Sequence, residues 1–344
     1  MNSVLVITPC SPFTLPTQGL FIAEGLRGAG IRVGTLSQAR SGLGRLLDVS
    51  LRCPLLVPRY DSAFINVYGE RAFVYESVAI LVARLWKKRV VVLIHNGRMT
   101  EFVRRWPRWT RFVLSRADLV LVPHGFLQKQ LSSLGLRVDD TIPNFIDLKR
   151  YKFRERSSLA PRFLYLRGMY PYYNPEMAIR AFKLVQEEYP DATLTMAGEE
   201  GKESAVCRSL VANFKLQNVS FLGLVSNNEI PNLADRHDIH LHTSRVDNMP
   251  VTIIEMWACG LPVVGTDVGG MPYLVRNGVD GILVKSEDHR AMARACLDLL
   301  SNPALAGMLS QNGRSRAEEL TWEKIKPMWE GALLLSGDCE KQPS

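Results

Sequence analysis

The sequence of 344 residues lacks the motifs that define several common protein classes. Its six cysteines are scattered and form no C-x-x-C pair, so the sequence indicates neither a zinc site nor a disulfide framework. It also lacks the G-x-G-x-x-G dinucleotide fingerprint after its first apolar segment and the P-loop motif, which argues against dinucleotide redox chemistry and against a P-loop ATPase or kinase. No run of about 20 apolar residues is present, so we expect no transmembrane helix.

Residues 1–8 are apolar, without a basic lead-in or a cleavage site, and we interpret them as a core strand rather than a signal peptide. A cytoplasmic location fits this interpretation and the absence of paired cysteines. The charge is uneven: residues 1–150 hold 21 basic and 10 acidic side chains, whereas the remainder holds 21 and 24. This asymmetry predicts an anionic partner for the first half.

Each half of the chain alternates apolar strand patterns with helical ones. Residues 89–95 form a continuous apolar run, which is typical of a strand buried in a parallel sheet. We expect residues 37–54 to be a basic connecting region and the polar stretch 144–161 to be a boundary. A second strand–helix series follows, so the sequence predicts two α/β domains.

The strongest local pattern lies in residues 238–272. It predicts a strand, a loop, a helix, a second strand and a glycine turn at Gly269-Gly270. Pro250 suits the first helical position, because a proline lacks only an N–H group that would have no partner there. Gly260 stands where a C-terminal cap is expected.

Two acids flank the start of this helix, where free N–H groups and the helix dipole favour anions. Asp247 lies in the loop and Glu255 inside the helix. Carboxylates accept hydrogen bonds from paired sugar hydroxyls, so the two acids could grip one ligand. The alternative is that Asp247 caps the helix and Glu255 lies on a solvated face.

This stretch resembles the acid-x7-acid signature of retaining glycosyltransferases of family 4, which usually has glutamate at both ends. Here Asp247 and Glu255 take the two places, with Asn248-Met249-Pro250 between them. The resemblance implies the GT-B fold, which has two Rossmann-like domains facing across a cleft and a C-terminal helix crossing back to the first domain. It further implies that Asp247 and the following amides hold the donor sugar and diphosphate, while Glu255 holds the ribose.

The resemblance also implies a division of the chain. Residues 1–150 would be an acceptor-binding domain and residues 151–320 a nucleotide-sugar-binding domain. Residues 321–336 would be the helix that crosses back, and residues 337–344 a disordered tail.

Further site residues are assigned by position. His95 follows the buried strand 89–94 and would contact the donor sugar, as the histidine-glycine pair of many relatives does; here Asn96 separates it from Gly97. The alternative is that His95 only caps the strand end. The donor-binding positions implied by the resemblance are Glu255, Asn248, Met249, Pro250, Thr252, Arg167, Gly198, Gly223, Gly19 and Gly97. The alternatives are that Gly19 only allows entry into a helix and that Gly198 and Gly223 only form turns.

One departure concerns the cations that offset the diphosphate charge. Family members usually carry an arginine and a lysine after the first strand of the second domain. Arg167 takes the first place, but the lysine position falls at about Tyr173, and Arg245 is a possible substitute. Because relatives generally use no metal, we expect no metal or other cofactor, and the missing lysine leaves an inactive relative as an alternative.

Residues 101–116 form a basic segment that also contains aromatic residues. Such a surface suits an anionic membrane, or a membrane-bound acceptor, and no nucleic-acid-binding motif accompanies it. The alternative is a helix whose aromatics are core and whose arginines are solvated. The expected patch consists of Arg104, Arg105, Trp106, Arg108, Trp109 and Arg111.

The resemblance implies transfer of a sugar from a UDP-sugar, or else a GDP-sugar, to a glycan or lipid-linked acceptor. We expect Asp247 and His95 to be the catalytic residues and polysaccharide, lipopolysaccharide or glycolipid synthesis to be the setting. We expect the protein to be cytoplasmic, with peripheral contact to the inner face of the membrane. The alternatives are a non-catalytic nucleotide-sugar-binding scaffold and a nucleotide-sugar epimerase.

Overall fold

A computed structural model describes residues 3–10, 17–39 and 41–333. The chain divides into two units, residues 1–144 with 322–344 and residues 145–321. The second unit begins at Phe145 rather than at the expected residue 151, because Phe145 and Ile146 are buried and the Ile146 amide donates to the Leu320 carbonyl. The expected disordered tail at 337–344 lies outside the described residues.

The first unit contains a six-stranded parallel sheet of order β2-β1-β3-β4-β5-β6. Its central strands are buried and mainly apolar, because helices cover both faces of the sheet. The strands are β1 Ser3–Ile7, β2 Arg32–Leu36, β3 Ser62–Val67, β4 Arg89–Ile94, β5 Leu119–Val122 and β6 Asp140–Thr141.

Six helices of this unit lie between or after these strands. They are α1 Gln18–Gly28, α2 Gly42–Leu56, α3 Phe73–Leu85, α4 Met99–Arg105, α5 Pro107–Leu114 and α6 Gly125–Ser133. Residues of α2 to α6 share one hydrophobic core with alternate residues of the strands, so these five helices cover the same face of the sheet. Short 3-10 turns occur at Val57–Arg59 and Glu70–Ala72.

Helix α2 corrects the prediction for residues 37–54, which were expected to be a connecting region. Ser41 begins the helix, because its Oγ accepts a hydrogen bond of 3.0 Å from the Gly44 amide. Val49 and Cys53 face the core, but leucines also occur on the opposite, exposed side. The sequence therefore shows no single apolar stripe of the kind by which an amphipathic helix is recognised.

The second unit contains another six-stranded parallel sheet, of order β12-β11-β10-β7-β8-β9. Its strands are β7 Arg162–Leu166, β8 Thr193–Ala197, β9 Val219–Gly223, β10 Ile239–His242, β11 Val263–Thr266 and β12 Ile282–Val284. Its helices are α7 Pro175–Glu188, α8 Ser204–Asn213, α9 Ile230–Asp235, α10 Val251–Ala258, α11 Met271–Leu274, α12 His289–Ser301 and α13 Pro303–Glu319.

The segment β10–α10–β11 follows the predicted strand–loop–helix–strand order. Pro250 is the residue that precedes the helix, with extended φ and ψ of −68° and 119°, and not the first helical residue. Gly260 has φ of +84° directly after the helix, which confirms the predicted glycine cap. A side chain at Gly260 would also meet the Arg154 carbonyl oxygen at 2.3 Å.

The last helix, α14 Trp322–Leu333, belongs to the first unit and covers the sheet face opposite to α2–α6. The rings of Trp329 and Phe64 lie 4.9 Å apart in an edge-to-face contact. Arg89 Nε donates to the Ala332 carbonyl at 3.0 Å. The chain therefore returns to its first unit after completing the second.

Candidate functional site

The Asp247 carboxylate is the centre of a polar cluster in the second unit. Its Oδ2 atom receives hydrogen bonds from His242 Nε2 at 3.1 Å and Ser244 Oγ at 3.2 Å, and it is also ion-paired with Arg167. Oδ1 accepts from the Asn248 amide at 2.9 Å. Asp247 makes no capping bond to α10, so the alternative of a helix cap is wrong.

The charge of Asp247 is set by two opposing effects. Burial alone would raise its pKa, but Arg167 and His242 outweigh burial and hold the pKa well below its ordinary value. Burial lowers the pKa of His242, although Asp247 opposes this effect. The cluster at neutral pH is therefore an ionised carboxylate between a guanidinium and a neutral imidazole.

Arg167 is the one predicted cation that reaches this cluster. It follows β7, and its guanidinium lies 4.7 Å from the centroid of the Tyr173 ring. Tyr173, at the expected lysine position, thus supports the arginine by its ring face. Arg245, the possible substitute, does not contact Asp247 among its described bonds; it pairs with Glu287 and with the Pro171 carbonyl.

Glu255 lies inside α10 and is only 6% exposed, so the alternative of a solvated helix face is wrong. Tyr151 Oη donates to Glu255 Oε1 at 2.6 Å. Burial raises the pKa of Glu255 to about 7, although the bond from Tyr151 acts to lower it. Sequence reasoning missed Tyr151, because it lies in a polar stretch without helical or strand periodicity.

Glycines bring the ends of three strands close to Arg167. Gly198, with φ of +152°, follows β8, and a methyl group there would lie 1.9 Å from the Arg167 carbonyl oxygen. The Gly198 amide donates to the Gly223 carbonyl at 2.8 Å, and Gly223 has φ of +67°. Arg167, Gly198 and Gly223 therefore lie along one edge of the sheet, as the carboxyl ends of parallel strands must.

The predicted glycine turn after β11 supports the Asp247 backbone. Gly270 donates its amide to the Asp247 carbonyl at 3.0 Å. Gly269 has φ of +55°, and a methyl group there would lie 2.2 Å from the same oxygen. The glycine pair thus fixes the loop that carries Asp247.

The other expected donor residues surround the start of α10. Asn248 and Met249 are buried, and Pro250 precedes the helix. Thr252 Oγ1 is buried and makes no hydrogen bond within the described residues. The first turn of a helix also has backbone N–H groups without intrahelical partners.

The first unit has a second polar cluster, around His95. His95 Nε2 lies 2.9 Å from Asn66 Oδ1, and Asn66 Nδ2 donates to Thr8 Oγ1 at 2.9 Å. A methyl group at Gly19 would lie 1.7 Å from Asn66 Nδ2. Gly19 and His95 therefore both lie next to the Asn66 side chain. Burial lowers the pKa of His95 to about 4, so its imidazole is neutral at neutral pH.

Asn96, which separates His95 from Gly97, shapes the turn after β4. Its Nδ2 donates to the Tyr68 carbonyl at 2.7 Å, and its Oδ1 accepts from the Arg98 amide at 2.9 Å. Gly97 lies in this turn and is half-buried. His95 therefore belongs to a hydrogen-bonded network and is more than a strand-end cap.

The expected basic patch is divided between a pocket and an open surface. Arg105, Trp106 and Trp109 help to line a pocket of about 470 Å³ beside α4 and α5. Trp109 packs on Phe73 at 4.9 Å, whereas Trp106 is exposed. The alternative of core aromatics thus holds for Trp109 and for the buried Phe102, but not for the exposed Trp106 and Phe112. The arginines of the patch that do not line the pocket are exposed: Arg104, Arg108 and Arg111.

The described residues contain no helix with the length and apolar character needed to cross a membrane.

The two sheets and their helices match structures of the GT-B class. A solved structure of HepE from Anabaena, in complex with UDP and glucose, superposes with a TM-score of 0.78. The alignment covers 97% of this chain and 99% of that one at 19% identity, so this likeness shows the fold alone. The GT-B fold expected from the sequence is confirmed.

Residues 150–316 match the family model described as Glycosyl transferases group 1. It is 26% identical over 233 residues to N-acetyl-α-D-glucosaminyl L-malate synthase of Bacillus anthracis, which covers 64% of this chain and 60% of that protein. It is 24% identical over 282 residues to glycogen synthase of Mycobacterium tuberculosis, with coverages of 77% and 67%. The matched segment thus spans about two thirds or less of these relatives. The sequence resemblance to glycosyltransferases is confirmed.

Proposed function

We propose that the protein is a retaining glycosyltransferase, which moves a sugar from a nucleotide-diphosphate sugar to an acceptor hydroxyl. The observation that carries this proposal is the buried, ionised Asp247 carboxylate between Arg167 and His242. Positive charge develops at the anomeric carbon in the transition state, and a preorganised carboxylate stabilises such charge. The match of residues 150–316 to the Glycosyl transferases group 1 model supports the same reaction class.

The second unit would hold the donor. Arg167 and the N–H groups at the start of α10 would offset the diphosphate charge. Glu255 would accept hydrogen bonds from the ribose hydroxyls, with Tyr151 orienting its carboxylate. The UDP and glucose named for the Anabaena structure support a UDP-sugar as donor, with a GDP-sugar as the other choice.

In the proposed reaction, the bond between the anomeric carbon and the phosphate oxygen breaks while the acceptor oxygen attacks from the same face. The acceptor proton passes to the leaving phosphate oxygen, so no protein general base is required. Asp247 would stabilise the developing positive charge, and His95 would hold a sugar hydroxyl as a neutral hydrogen-bonding group. Arg167 and the helix amides take the place of a metal, so no cofactor is part of the proposal.

The first unit would bind the acceptor, a glycan or a lipid-linked sugar. Its pocket beside α4 and α5 exposes the Trp106 ring, on which a sugar could stack, and both arginines and glutamates line it. This unit also carries the excess of basic side chains. We therefore place the protein in the cytoplasm, peripherally on the inner face of the membrane, in polysaccharide, lipopolysaccharide or glycolipid synthesis.

A donor screen tests the proposal. The wild-type protein would be incubated with a panel of UDP- and GDP-sugars and a glycan acceptor mixture, and released nucleoside diphosphate would be measured. We expect acceptor-dependent release with one donor, and NMR of the product should show the anomeric configuration of that donor. Release with inversion of configuration would overturn the retaining mechanism.

A non-catalytic scaffold is the second candidate. Its support is that Tyr173 replaces the expected lysine and that Arg245 is engaged with Glu287. Calorimetry with the same nucleotide sugars separates the two candidates, since binding without release of nucleoside diphosphate indicates a scaffold. A new donor epimer formed without acceptor would instead indicate an epimerase.

A further inference from the structure

The outer side of α2 carries a row of exposed leucines. Leu43, Leu47, Leu51 and Leu55 follow one another at intervals of four residues and are between 54% and 70% exposed. Residues at this spacing lie on one face of a helix. The opposite side of α2 faces the core of the first unit, so this helix presents an apolar side to solvent as well as to the protein.

Helix α3 extends this apolar surface. It packs against α2 in the same layer, and it exposes Val74, Leu81 and Leu85, with Trp86 directly after it. Because α2 and α3 bury their other sides in one core, their exposed side chains face the same way. We call these exposed side chains, together with the four leucines of α2, the α2–α3 apolar face.

An apolar face of this size indicates an interaction site. Single exposed hydrophobic residues are common on protein surfaces, but contiguous groups of large ones usually contact another molecule. Leaving eight such side chains in water is unfavourable, because burying apolar surface lowers the free energy. The face is therefore expected to be covered when the protein functions.

The charges around the face favour an anionic lipid surface as its partner. Residues 41–88 hold seven basic and four acidic side chains. Each of the four acids is engaged or buried: Glu76 is buried, Asp48 pairs with Arg52, Glu70 pairs with Arg98, and Asp61 accepts hydrogen bonds from Ser3. The exposed cations include Arg59 and Lys87. A second copy of the chain would bring two basic rims together, which is unfavourable, whereas an anionic bilayer complements them.

The adjoining helix α5 continues this pattern. It packs against α3 in the same layer and exposes Phe112 together with Arg108 and Arg111. Amphipathic helices at a membrane interface combine inserted leucines and aromatics with basic side chains at the level of the headgroups. The apolar part of such a surface lies on α2 and α3, whereas the sequence directed attention to the arginines of α4 and α5.

We propose that the α2–α3 apolar face docks on an anionic lipid bilayer, with the leucines of α2 inserted between the lipids and the surrounding cations at the headgroups. The proposal does not depend on glycosyl transfer, because none of these side chains belongs to the Asp247 or His95 clusters and only Val74 also lines the pocket beside α4 and α5. It predicts membrane binding that depends on both exposed leucines and lipid charge.

Vesicle co-sedimentation tests this proposal. The full chain should pellet with vesicles of phosphatidylcholine and phosphatidylglycerol, and far less with phosphatidylcholine alone. The double variant Leu47→Glu with Leu51→Glu should lower the partition coefficient by about tenfold or more. The matched control is Met308→Glu, a single exposed apolar residue on α13 in the second unit, which should bind as the wild type does.

Three further measurements distinguish the possible outcomes. Thermal unfolding should be similar for both variants, since the substituted side chains are exposed, and nucleoside diphosphate release with a soluble acceptor should be unchanged. Light scattering after size exclusion reports the oligomeric state. Equal pelleting of wild type and double variant would overturn the proposal. A wild-type dimer that the double variant disrupts, without any vesicle binding, would assign the face to a second copy instead.

Discussion

The two units place different kinds of polar group at the carboxyl ends of their strands. In the second unit, the Asp247 carboxylate is paired with the Arg167 guanidinium, and both are shielded from solvent. In the first unit, His95 and Asn66 form a network without formal charge. Charged groups suit a phosphate and a developing cation, whereas neutral donors and acceptors suit sugar hydroxyls. The following predictions test whether this difference is functional.

Substitution of Asp247 should have the largest effect. Asp247→Ala removes the carboxylate and leaves Arg167 without its ion-pair partner, so kcat should fall by about 10³-fold. Nucleoside diphosphate release measures the effect, and thermal unfolding checks that the variant folds. Asp191→Ala, at an exposed position, is the matched control and should retain wild-type turnover. Turnover of Asp247→Ala within a factor of about two would remove Asp247 from the catalytic residues.

Substitution of Arg167 should have the next largest effect. Arg167→Lys keeps the charge but loses the planar guanidinium that pairs with Asp247 and lies over Tyr173, so kcat should fall by about 10²-fold. Arg294→Lys on α12 is the matched control on an exposed surface. A fully active Arg167→Lys variant would show that a positive point charge is sufficient and that the paired geometry is unimportant.

The same comparison shows how much of the second-unit site the sequence could predict. The order strand, loop, helix and strand, with its cap at Gly260, was predictable because strand alternation and capping are local. The spacing of Asp247 and Glu255 indicated two acids near one helix. Their partners His242 and Tyr151 were not predictable, because they are brought there by the register of β10 and by a non-periodic segment.

Helices α2 and α13 were not predicted from the sequence, and each has a physical reason. Helix α2 is apolar on two sides, so its exposed leucines obscured the stripe that faces the core. Helix α13 contains Gly307 and Gly313, which lower helical propensity. Gly313 is required by packing, because a methyl group there would lie 2.4 Å from the Trp257 ring. Both segments are therefore helical because of their tertiary contacts rather than because of their local sequence pattern.

In the first unit, the position of His95 was predictable but its network was not. Asn66 is a polar residue within the apolar strand β3, and this contrast is the sequence signal that could have identified it. Its links to Thr8 and Gly19 depend on the parallel pairing of β1 and β3, which joins residues far apart in sequence.

His95 should contribute less than the charged cluster. His95→Ala removes one neutral hydrogen-bonding group, so kcat should fall by about tenfold. Burial lowers the pKa of His95 to about 4. Protonation of His95 should therefore cause no change in the wild-type rate between about pH 6 and pH 8. His124→Ala, a histidine at the start of α6, is the control. A rate that depends on a histidine-like pKa in wild type and not in His95→Ala would contradict the neutral role.

The smallest expected effect is the pH dependence of donor binding through Glu255. Burial raises its pKa to about 7, so the carboxyl is mostly protonated below that pH and accepts hydrogen bonds from ribose hydroxyls less well. The KM for the donor should therefore fall by about fivefold as the pH rises from about 6 to about 8. Glu255→Gln should raise KM and remove this trend, because its amide does not ionise. Glu76→Gln in the first unit is the control, since burial raises the pKa of Glu76 to about 8 and Glu76 takes no part in the proposed ribose contact. If the trend persists in Glu255→Gln and disappears in Glu76→Gln, the titrating group belongs to the first unit and Glu255 does not hold the ribose as a carboxylate.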